Sequence, residues 1–296
     1  FGNPGTVEQG LLDALGDRPA LHYVLTLQES IAVYAADAYA RSTGGLAVAQ
    51  IHSSPGLGNA IGAMYQAMRG QSPILVLGGD AGIRYQAMDA QMAADLVAMA
   101  RPVTKWSTMV THPSSLLRIL RRAIKVALTP PMGPVYVCLP QDILDEVVTE
   151  TVRPTELPDT RVTPLPDAIA RAADMLLAAE RPTIYIGDGV ARSKAQGQLA
   201  RVAELLGADV WGVDGGDLNM SWRHPLWRGQ TGHMFGSHSL PIVQSGDCNL
   251  IVGTYMLPEV FPELGDIYVE VIGRSGQGSG GTSNQYTRRD KPYLVN

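Results

Sequence analysis

The strongest constraint on the fold is a mostly apolar run that is followed at once by a turn rich in glycine. The run is LAVAQI (46–51), and His52 and the turn SSPGLG (53–58) come directly after it. A strand that is apolar on both faces is typical of a parallel sheet covered by helices on both sides. A glycine-bearing turn that opens a helix lets the backbone approach a bound group closely. The pattern predicts an open α/β domain with a ligand site at the carboxyl ends of its strands.

A predicted strand and helix precede this turn. The segment 23–27 is rich in β-forming residues, and Glu29 stands at the start of a helix that ends before Gly44. The apolar positions of this helix recur at helical spacing, at Ile31, Ala35, Ala38 and Tyr39. A Glu at a helix start commonly caps the helix or offsets its dipole. Glu29 and His52 each follow a strand, so we expect both at the same edge of a parallel sheet.

Strands and helices continue to alternate through the rest of the first domain. Residues 1–6 are interpreted as a strand end and a turn, with Thr6 as a helix N-cap and Gln9 as its capping-box partner. Further elements are predicted as a helix over 7–15, strands at 73–79 and 133–140, a loop and then a helix over 81–100, a strand after 100–106 and a helix over 114–128. This alternation predicts a doubly wound α/β domain over residues 1–149.

A proline-rich segment separates this domain from a second one. Residues 150–166 carry four prolines and show no hydrophobic period, which is typical of a linker. A second, Rossmann-like α/β domain is predicted over 167–273, with helices at 167–179 and 194–206 and strands at 182–189, 208–213, 248–254 and 267–272. The remaining residues, 274–296, are predicted to be an irregular tail.

Composition excludes some classes of protein. The net charge is −5 with no basic cluster, which argues against nucleic acid as a partner. No apolar run reaches the roughly 18 residues of a membrane span. Cys138 and Cys248 each lie in a strand-like run and are interpreted as reduced, buried thiols of a cytoplasmic protein. Hydrophobic residues make up 45% of the chain, which favours large hidden surfaces such as those of an oligomer.

Three motifs together resemble one known family. They are LQES (27–30), IHSSPGLGNAIGA (51–63) and the opening FGNPGT (1–6). They resemble the pyrimidine-binding domain of thiamine diphosphate (ThDP) enzymes, with benzoylformate decarboxylase as the nearest pattern. The resemblance implies that Glu29 faces the aminopyrimidine ring and activates the cofactor. It also implies that four residues shape the pyrimidine site, namely Pro55, Gly56, Gly58 and Asn59.

The resemblance assigns two further residues to the substrate. It implies that His52 delivers a proton after CO₂ leaves, a task that suits an imidazole near neutral pH. Thr6 takes the place of a serine that hydrogen-bonds the substrate carboxylate in the decarboxylases. Without the resemblance, His52 is a hydrogen-bonded structural residue, Thr6 is a helix cap, and the glycines serve close packing of helix on strand. Both interpretations stay open at this point.

The resemblance also implies cofactors and partners. ThDP is expected together with Mg²⁺, which a third domain of the family binds through a GDG motif and a downstream Asn. Here GDG (187–189) lies in the second domain and lacks that Asn, so the Mg²⁺ site is expected on a third domain missing from this sequence or on a separate diphosphate-domain subunit. The same turn lacks a full GxGxxG, so FAD is not expected. Because family sites lie between subunits, the resemblance implies a homo-oligomer, a homotetramer built as a dimer of dimers.

Two departures from the family pattern limit the functional expectation. The decarboxylases carry a second histidine after a strand such as LIVGT, whereas this chain continues with YMLPE (255–259); His233 and His238 lie earlier. Acetolactate synthases carry DAFQEAD where this chain has DAQMAAD (89–95), and Met92 at the Gln position speaks against a close relation to them. We therefore expect a 2-keto acid decarboxylase, with or without an additional carboligation activity. The alternatives are an acetolactate-synthase-like or lyase-type carboligase and a non-catalytic scaffold or partner subunit.

Overall fold

The computed structural model describes residues 1–213, 215–232 and 236–254. The chain divides into two compact units, with the division between Arg161 and Val162. This point lies inside the predicted linker, and no helix or strand forms between Leu144 and Pro166. The predicted limits of the domains and of the tail themselves stay predictions.

The first unit alternates strands and helices as the sequence predicts. Its elements are α1 (Gln9–Gly16), α2 (Glu29–Thr43), β1 (Ala47–Ile51), α3 (Ser53–Arg69), β2 (Ile74–Asp80), α4 (Leu96–Ala100), β3 (Trp106–Met109), α5 (Leu116–Leu128), β4 (Val135–Pro140) and α6 (Gln141–Leu144). Short 3-10 turns cover Thr6–Glu8, Ile83–Met88, Arg101–Val103 and Pro113–Ser115.

The four strands of this unit form a parallel sheet in the order β1-β2-β4-β3. Gly2 extends the sheet beyond β1, because it forms parallel bridges to Gln50 on one side and to Leu25 on the other. Helices cover both faces. On one face the alanines of α2 and α3 pack against Ile74 and Val76, and on the other face α5 packs its own alanines against Val135. The prediction of a doubly wound parallel α/β domain is confirmed.

The second unit is a smaller parallel α/β arrangement. Its elements are α7 (Pro166–Leu177), β5 (Pro182–Ile186), α8 (Gly189–Arg192), α9 (Gln196–Leu206), β6 (Asp209–Gly212), β7 (Trp227–Gln230), α10 (Gly236–Val243) and β8 (Cys248–Val252). The strand order is β7-β6-β5-β8, and all three pairings are parallel. The predicted fold class is therefore confirmed for this unit as well. Strand β7 is absent from the sequence prediction because it is only four residues long and partly exposed.

One predicted element of the first unit is wrong, and another is shorter than expected. The segment 23–27 forms one bridge through Leu25 instead of a strand, because only Val24 and Thr26 bond to the backbone of Gly2. The helix predicted within 81–100 is reduced to α4. Asp89 and Met92 adopt left-handed conformations with φ of 46° and 67°, which a continuous helix does not permit.

The apolar positions predicted for α2 are not its buried face in this chain. Ile31 and Tyr39 are 52% and 51% exposed, whereas the residues that pack inward are Ala32, Val33, Ala36 and Ala40. These small side chains allow α2 to approach α3, which also presents alanines. The larger apolar residues are left outside the unit.

Several predictions fall outside the described residues. They are the strand at 267–272, the tail at 274–296, the YMLPE segment and His233, together with the side chain of His238.

Candidate active site

The candidate site lies at the carboxyl edge of the first sheet. His52 follows the last residue of β1, and Asp80 ends β2. Glu29 opens α2 after the extended segment that bridges to Gly2. Because all these strands run parallel, their carboxyl ends share one edge, where open α/β folds bind ligands.

Glu29 is a buried carboxylate at the first turn of α2. Gln28 caps this helix, since its side-chain oxygen accepts the N–H groups of Ser30 at 2.8 Å and Ile31 at 3.3 Å. Glu29 itself is 7% exposed, and its Oε2 accepts a hydrogen bond from Asn59 Nδ2 at 3.0 Å. The N-terminal end of a helix stabilises such a negative charge. Capping is therefore the work of Gln28, which leaves the Glu29 carboxylate available for another role.

Gly56 makes room for this carboxylate. A Cβ atom on residue 56 would lie 2.9 Å from Glu29 Oε1 and 3.0 Å from its Cγ, closer than side chains tolerate. The absence of a side chain at position 56 thus lets α2 and α3 meet at the site. Both interpretations of this glycine, close packing and cofactor binding, predicted that another group lies close to its backbone. In the structure that group is the side chain of Glu29.

The residues around Glu29 fit the aminopyrimidine end of ThDP. Pro55, Gly58 and Asn59 are exposed at the start of α3, next to the buried carboxylate. Apart from its chain neighbours and the backbone of its own helix, no atom of the described chain lies within 4 Å of a Cβ built on Gly58, so this position is open to a ligand. A carboxyl group, an amide and open backbone are the donors and acceptors that a polar heterocycle needs. Within the described residues, no three His, Cys, Asp or Glu side chains are grouped to hold a metal ion.

His52 is held by an acid that the sequence analysis missed. Its Nδ1 lies 2.8 Å from Oε2 of Glu8, which is 2% exposed. The same oxygen accepts the N–H of Gly5 at 2.8 Å. A Cβ on Gly5 would overlap the His52 ring, so the FGNPGT turn closes directly over the imidazole. The only sequence signal for Glu8 was its position three residues after Gly5, at the start of a helix.

Thr6 is exposed, and the prediction that it is an N-cap with Gln9 as its partner is wrong. Thr6 is the first residue of the 3-10 turn, Gly5 precedes that turn, and Glu8 is the residue whose side chain bonds back to the backbone. Gln9 instead begins α1. Thr6 directly follows the glycine that lies against the His52 ring.

The turn between β1 and α3 is strained. Ser53 has φ of 47°, a conformation that non-glycine residues seldom adopt and that concentrates at functional sites. The next residue, Ser54, donates from Oγ to the carbonyl of Met92 at 2.5 Å. This bond holds the 89–95 loop against the start of α3 and brings Met92 to the carboxyl edge. The strain at Ser53 had no signal in the sequence.

Buried ionisable groups occur in the sheets of both units. Burial raises the pKa of the Asp80 carboxyl, a hydrogen bond from the Ala81 backbone opposes this shift, and nearby Asp142 adds to it. Burial also raises the pKa of the Cys138 thiol to about 12 and that of the Cys248 thiol above its usual value. Both cysteines are free and buried, as predicted.

The GDG turn of the second unit serves its own packing. Asp188 accepts hydrogen bonds from the N–H groups of Gly216 at 3.1 Å and Asp217 at 2.9 Å, and from Asn219 Nδ2 at 3.1 Å. Burial acts to raise the pKa of Asp188, but these bonds and the nearby Arg192 together outweigh it, so the pKa lies below its usual value. The carboxylate thus ties the end of β5 to the loop after β6.

Comparison with known proteins assigns the family. Residues 1–99 match the model of the thiamine pyrophosphate enzyme N-terminal TPP binding domain, and residues 169–265 match that of the thiamine pyrophosphate enzyme central domain. The chain therefore belongs to the thiamine diphosphate enzymes, with the N-terminal and central domains in this order. The resemblance inferred from the three motifs is confirmed.

Individual relatives come from two branches of this family. Acetolactate synthase of Mycobacterium bovis is 32% identical over 213 residues, which is 71% of this chain and 34% of the relative. The large subunit of acetolactate synthase isozyme 3 from Escherichia coli is 33% identical over 216 residues, 71% of this chain and 38% of the relative. The crystal structure of benzoylformate decarboxylase from Polynucleobacter necessarius superimposes with a TM-score of 0.79 at 29% identity, covering 86% of this chain and 47% of that one.

These relatives bear on the earlier expectations in two ways. The chain spans about a third of the length of the curated relatives that it matches. Met92 in place of the expected Gln does not separate the chain from acetolactate synthases, because their overall identity extends over most of its length. No helix in the described ranges is both long and apolar enough to cross a membrane.

Proposed function

We propose that this protein carries out ThDP-dependent decarboxylation of a 2-keto acid, in the manner of benzoylformate decarboxylase. The observation that carries the proposal is Glu29, a buried carboxylate bonded to Asn59, enclosed by Gly56 and situated at the same sheet edge as His52. Helix capping does not explain the buried Glu29 carboxylate, because Gln28 already caps α2.

In this proposal, bound ThDP supplies the electron sink that no amino-acid side chain provides for the electrons left when CO₂ departs. Glu29 holds a proton at the ring nitrogen of the aminopyrimidine. Pro55, Gly56, Gly58 and Asn59 form the surface on which that ring rests. The exposure of Pro55, Gly58 and Asn59 beside the buried carboxylate supports this assignment.

His52 and Thr6 act on the substrate in the same proposal. His52 delivers a proton to the reacting carbon after CO₂ leaves, a task for which a positioned imidazole is suited. Thr6 donates its hydroxyl hydrogen to the substrate carboxylate. Gly5 lies so close to the His52 ring that a Cβ on it would overlap the ring. The residue next to Thr6 is therefore in contact with the imidazole, which supports a shared role for Thr6 and His52.

The partners and location form part of the proposal. Mg²⁺ is held by a third domain or a partner chain, and the active assembly is a homotetramer in the cytoplasm. Exposed apolar side chains in and before α2 support an oligomer, because Leu27 is 90% exposed and Ile31 and Tyr34 are about half exposed.

A second candidate function is carboligation of the acetolactate-synthase type. It is supported by the curated relatives, which carry that name at 32% and 33% identity. Incubating the holoenzyme with pyruvate alone, benzoylformate alone, and benzoylformate with benzaldehyde distinguishes the two. Release of CO₂ and benzaldehyde from benzoylformate supports the decarboxylase, whereas acetolactate from pyruvate as the main product supports the synthase.

The third alternative, a non-catalytic scaffold, is tested by cofactor binding. Calorimetric titration of the purified protein and its native partner chains with ThDP and Mg²⁺ should show saturable binding. A protein that folds but releases no heat with ThDP would be a scaffold and would refute the proposal.

Glu29→Gln provides the test at the residue that carries the proposal. The variant keeps the size of the side chain but removes its carboxyl group, so we expect exchange of the C2 hydrogen of bound ThDP for deuterium to slow by at least about 100-fold, as for loss of a general acid or base. Asp37→Asn is the matched control, because Asp37 is a carboxylate on the same helix that pairs with Arg41 one turn further on. Exchange at the wild-type rate in Glu29→Gln would exclude the assigned role.

A further inference from the structure

The histidine rings of this chain differ in which nitrogen faces a donor. Nδ1 of His112 accepts the N–H of Ser114 at 3.2 Å, and Nδ1 of His224 accepts the N–H of Leu226 at 3.2 Å. A ring nitrogen that accepts a hydrogen bond carries no proton. In both neutral rings the proton therefore resides on Nε2.

His52 has the opposite arrangement. Its Nδ1 faces a carboxylate oxygen, Oε2 of Glu8, at 2.8 Å. An ionised carboxylate only accepts hydrogen bonds, so Nδ1 must donate. The neutral His52 ring is thereby an Nδ1–H tautomer, and Nε2 is the nitrogen without the proton.

The Glu8 carboxylate that sets this tautomer is itself held in place. Glu8 is 2% exposed, and its Oε2 also accepts the N–H of Gly5 at 2.8 Å. The His52 ring fits against Gly5 only because residue 5 has no side chain. Glu8, Gly5 and His52 thus form one packed unit that leaves the His52 side chain 20% exposed.

We propose that Glu8 is a positioning residue that holds His52 in the Nδ1–H tautomer, so that Nε2 alone exchanges protons with the substrate. This inference rests on the proposed function for its role in turnover. Each decarboxylation consumes one proton. Nε2 takes that proton from water and passes it to the reacting carbon, the ring returns to its neutral form, and Nδ1–H stays bonded to Glu8 throughout.

The tautomer is measured directly by two-bond ¹H–¹⁵N correlation spectra of the 296-residue chain labelled with ¹⁵N-histidine. Spectra are recorded at a pH at which the rings are neutral, and His52→Gln assigns the signal. We expect a protonated-type shift at Nδ1 and an unprotonated-type shift at Nε2 for His52. The opposite pattern is expected for His112 and His224, which serve as internal references.

Substitutions at position 8 test the cause. Glu8→Ala should move His52 towards the Nε2–H form that an unconstrained ring favours in water. Glu8→Gln should retain Nδ1–H, because both donors share Oε2 and an amide oxygen can replace it. The matched control is Glu204→Ala, which removes the acid beside His224 Nε2 at 3.2 Å while the Leu226 bond still sets that tautomer.

The results that overturn the proposal are defined for the folded variants, as judged by circular dichroism. An Nε2–H signal for His52 in the wild-type chain would do so, and so would an Nδ1–H signal that survives Glu8→Ala. Neither spectrum depends on ThDP, so a failure of the proposed function leaves this measurement valid.

Turnover of the holoenzyme separates the two proposals. Glu8→Ala should lower kcat by about 100-fold, within the range that proton transfer contributes, with little change in the affinity for ThDP. Combined with His52→Ala, it should cost nothing further, because the two residues act as a unit. Full turnover in Glu8→Ala when His52→Ala is inactive would overturn the positioning role alone, whereas full turnover in His52→Ala would refute the proton-transfer role in the proposed function.

Discussion

The contact between Glu29 and Gly56 joins two helices at the point where a ligand is expected. Both residues are buried, and the Glu29 carboxylate lies against Gly56 and accepts a hydrogen bond from Asn59. A carboxylate enclosed in this way has a fixed direction, which is the property that a proton-transfer group needs. The same logic applies to His52, which is fixed between Glu8 and Gly5.

Gly56→Ala should displace Glu29 and break its bond to Asn59. The added methyl group would lie within 3.0 Å of two Glu29 atoms, so we expect a loss of about 1–3 kcal/mol in the free energy of unfolding, as for overpacked cores. Gly62→Ala in the same helix is the matched control, because among the described residues nothing outside its own stretch of helix lies within 4 Å of the added Cβ, and the change should stabilise the helix. Urea titration measures both; equal stability of the two variants would show that Gly56 is not a required gap.

The carboxylate of Asp188 holds a loop of the second unit in place through hydrogen bonds. It lies two residues after the end of β5 and accepts three hydrogen bonds from the loop 216–219, two of them from backbone N–H groups. The GDG turn therefore has a structural explanation that applies to this unit by itself. A nucleotide is not required to explain why these residues stand together.

Asp188→Asn should weaken this loop and change the acid stability of the protein. We expect a loss of about 1–3 kcal/mol at neutral pH, since a hydrogen-bonded charge is replaced by an amide that cannot accept all three bonds. The folded-state pKa of Asp188 lies below its usual 3.8, so the contribution is present above that pH and is lost as the pH falls through the folded-state pKa. The difference in unfolding free energy between wild type and variant should shrink below about pH 4. A constant difference from pH 7 to pH 2 would contradict the assignment.

At the scale of the whole molecule, the first unit carries large apolar side chains that are exposed to solvent. Leu25, Leu27, Ile31, Tyr34 and Tyr65 are all at least half exposed, and all belong to the segment before α2 or to the helices α2 and α3. Alanines fill the inner face of these helices, so the larger side chains are free to pack against another molecule. This distribution agrees with the apolar composition, which predicted hidden surfaces.

Tyr34→Glu should weaken self-association. Burying a new charge in an apolar contact is costly, so we expect the dissociation constant of the oligomer to rise at least about 10-fold. Leu205→Glu is the matched control, because Leu205 is 75% exposed on α9 of the second unit. Analytical ultracentrifugation compares the two; an unchanged sedimentation profile for Tyr34→Glu would remove α2 from the interface.

Much of the fold was predictable because local patterns define it. Apolar runs such as LAVAQI, glycine turns and the linker prolines each act over a few residues, and the strands β1, β2, β4 and β5 were found from them. Two failures share one cause. The 23–27 segment and the inner face of α2 were decided by contacts with distant residues, which overrode local propensity.

The site divides in the same way between local chemistry and long-range contacts. Motifs alone were enough to predict that Glu29 and His52 end neighbouring elements and that Gly56 marks a close approach, because a parallel sheet brings carboxyl ends together. Only the tertiary structure determines that Glu8, 44 positions away in sequence, bonds to Nδ1 of His52. The same is true of Asn59, which donates a hydrogen bond to Glu29 from 30 positions away. Such pairs depend on how helices dock on the sheet, and docking is set by packing of the whole core rather than by any short stretch of sequence.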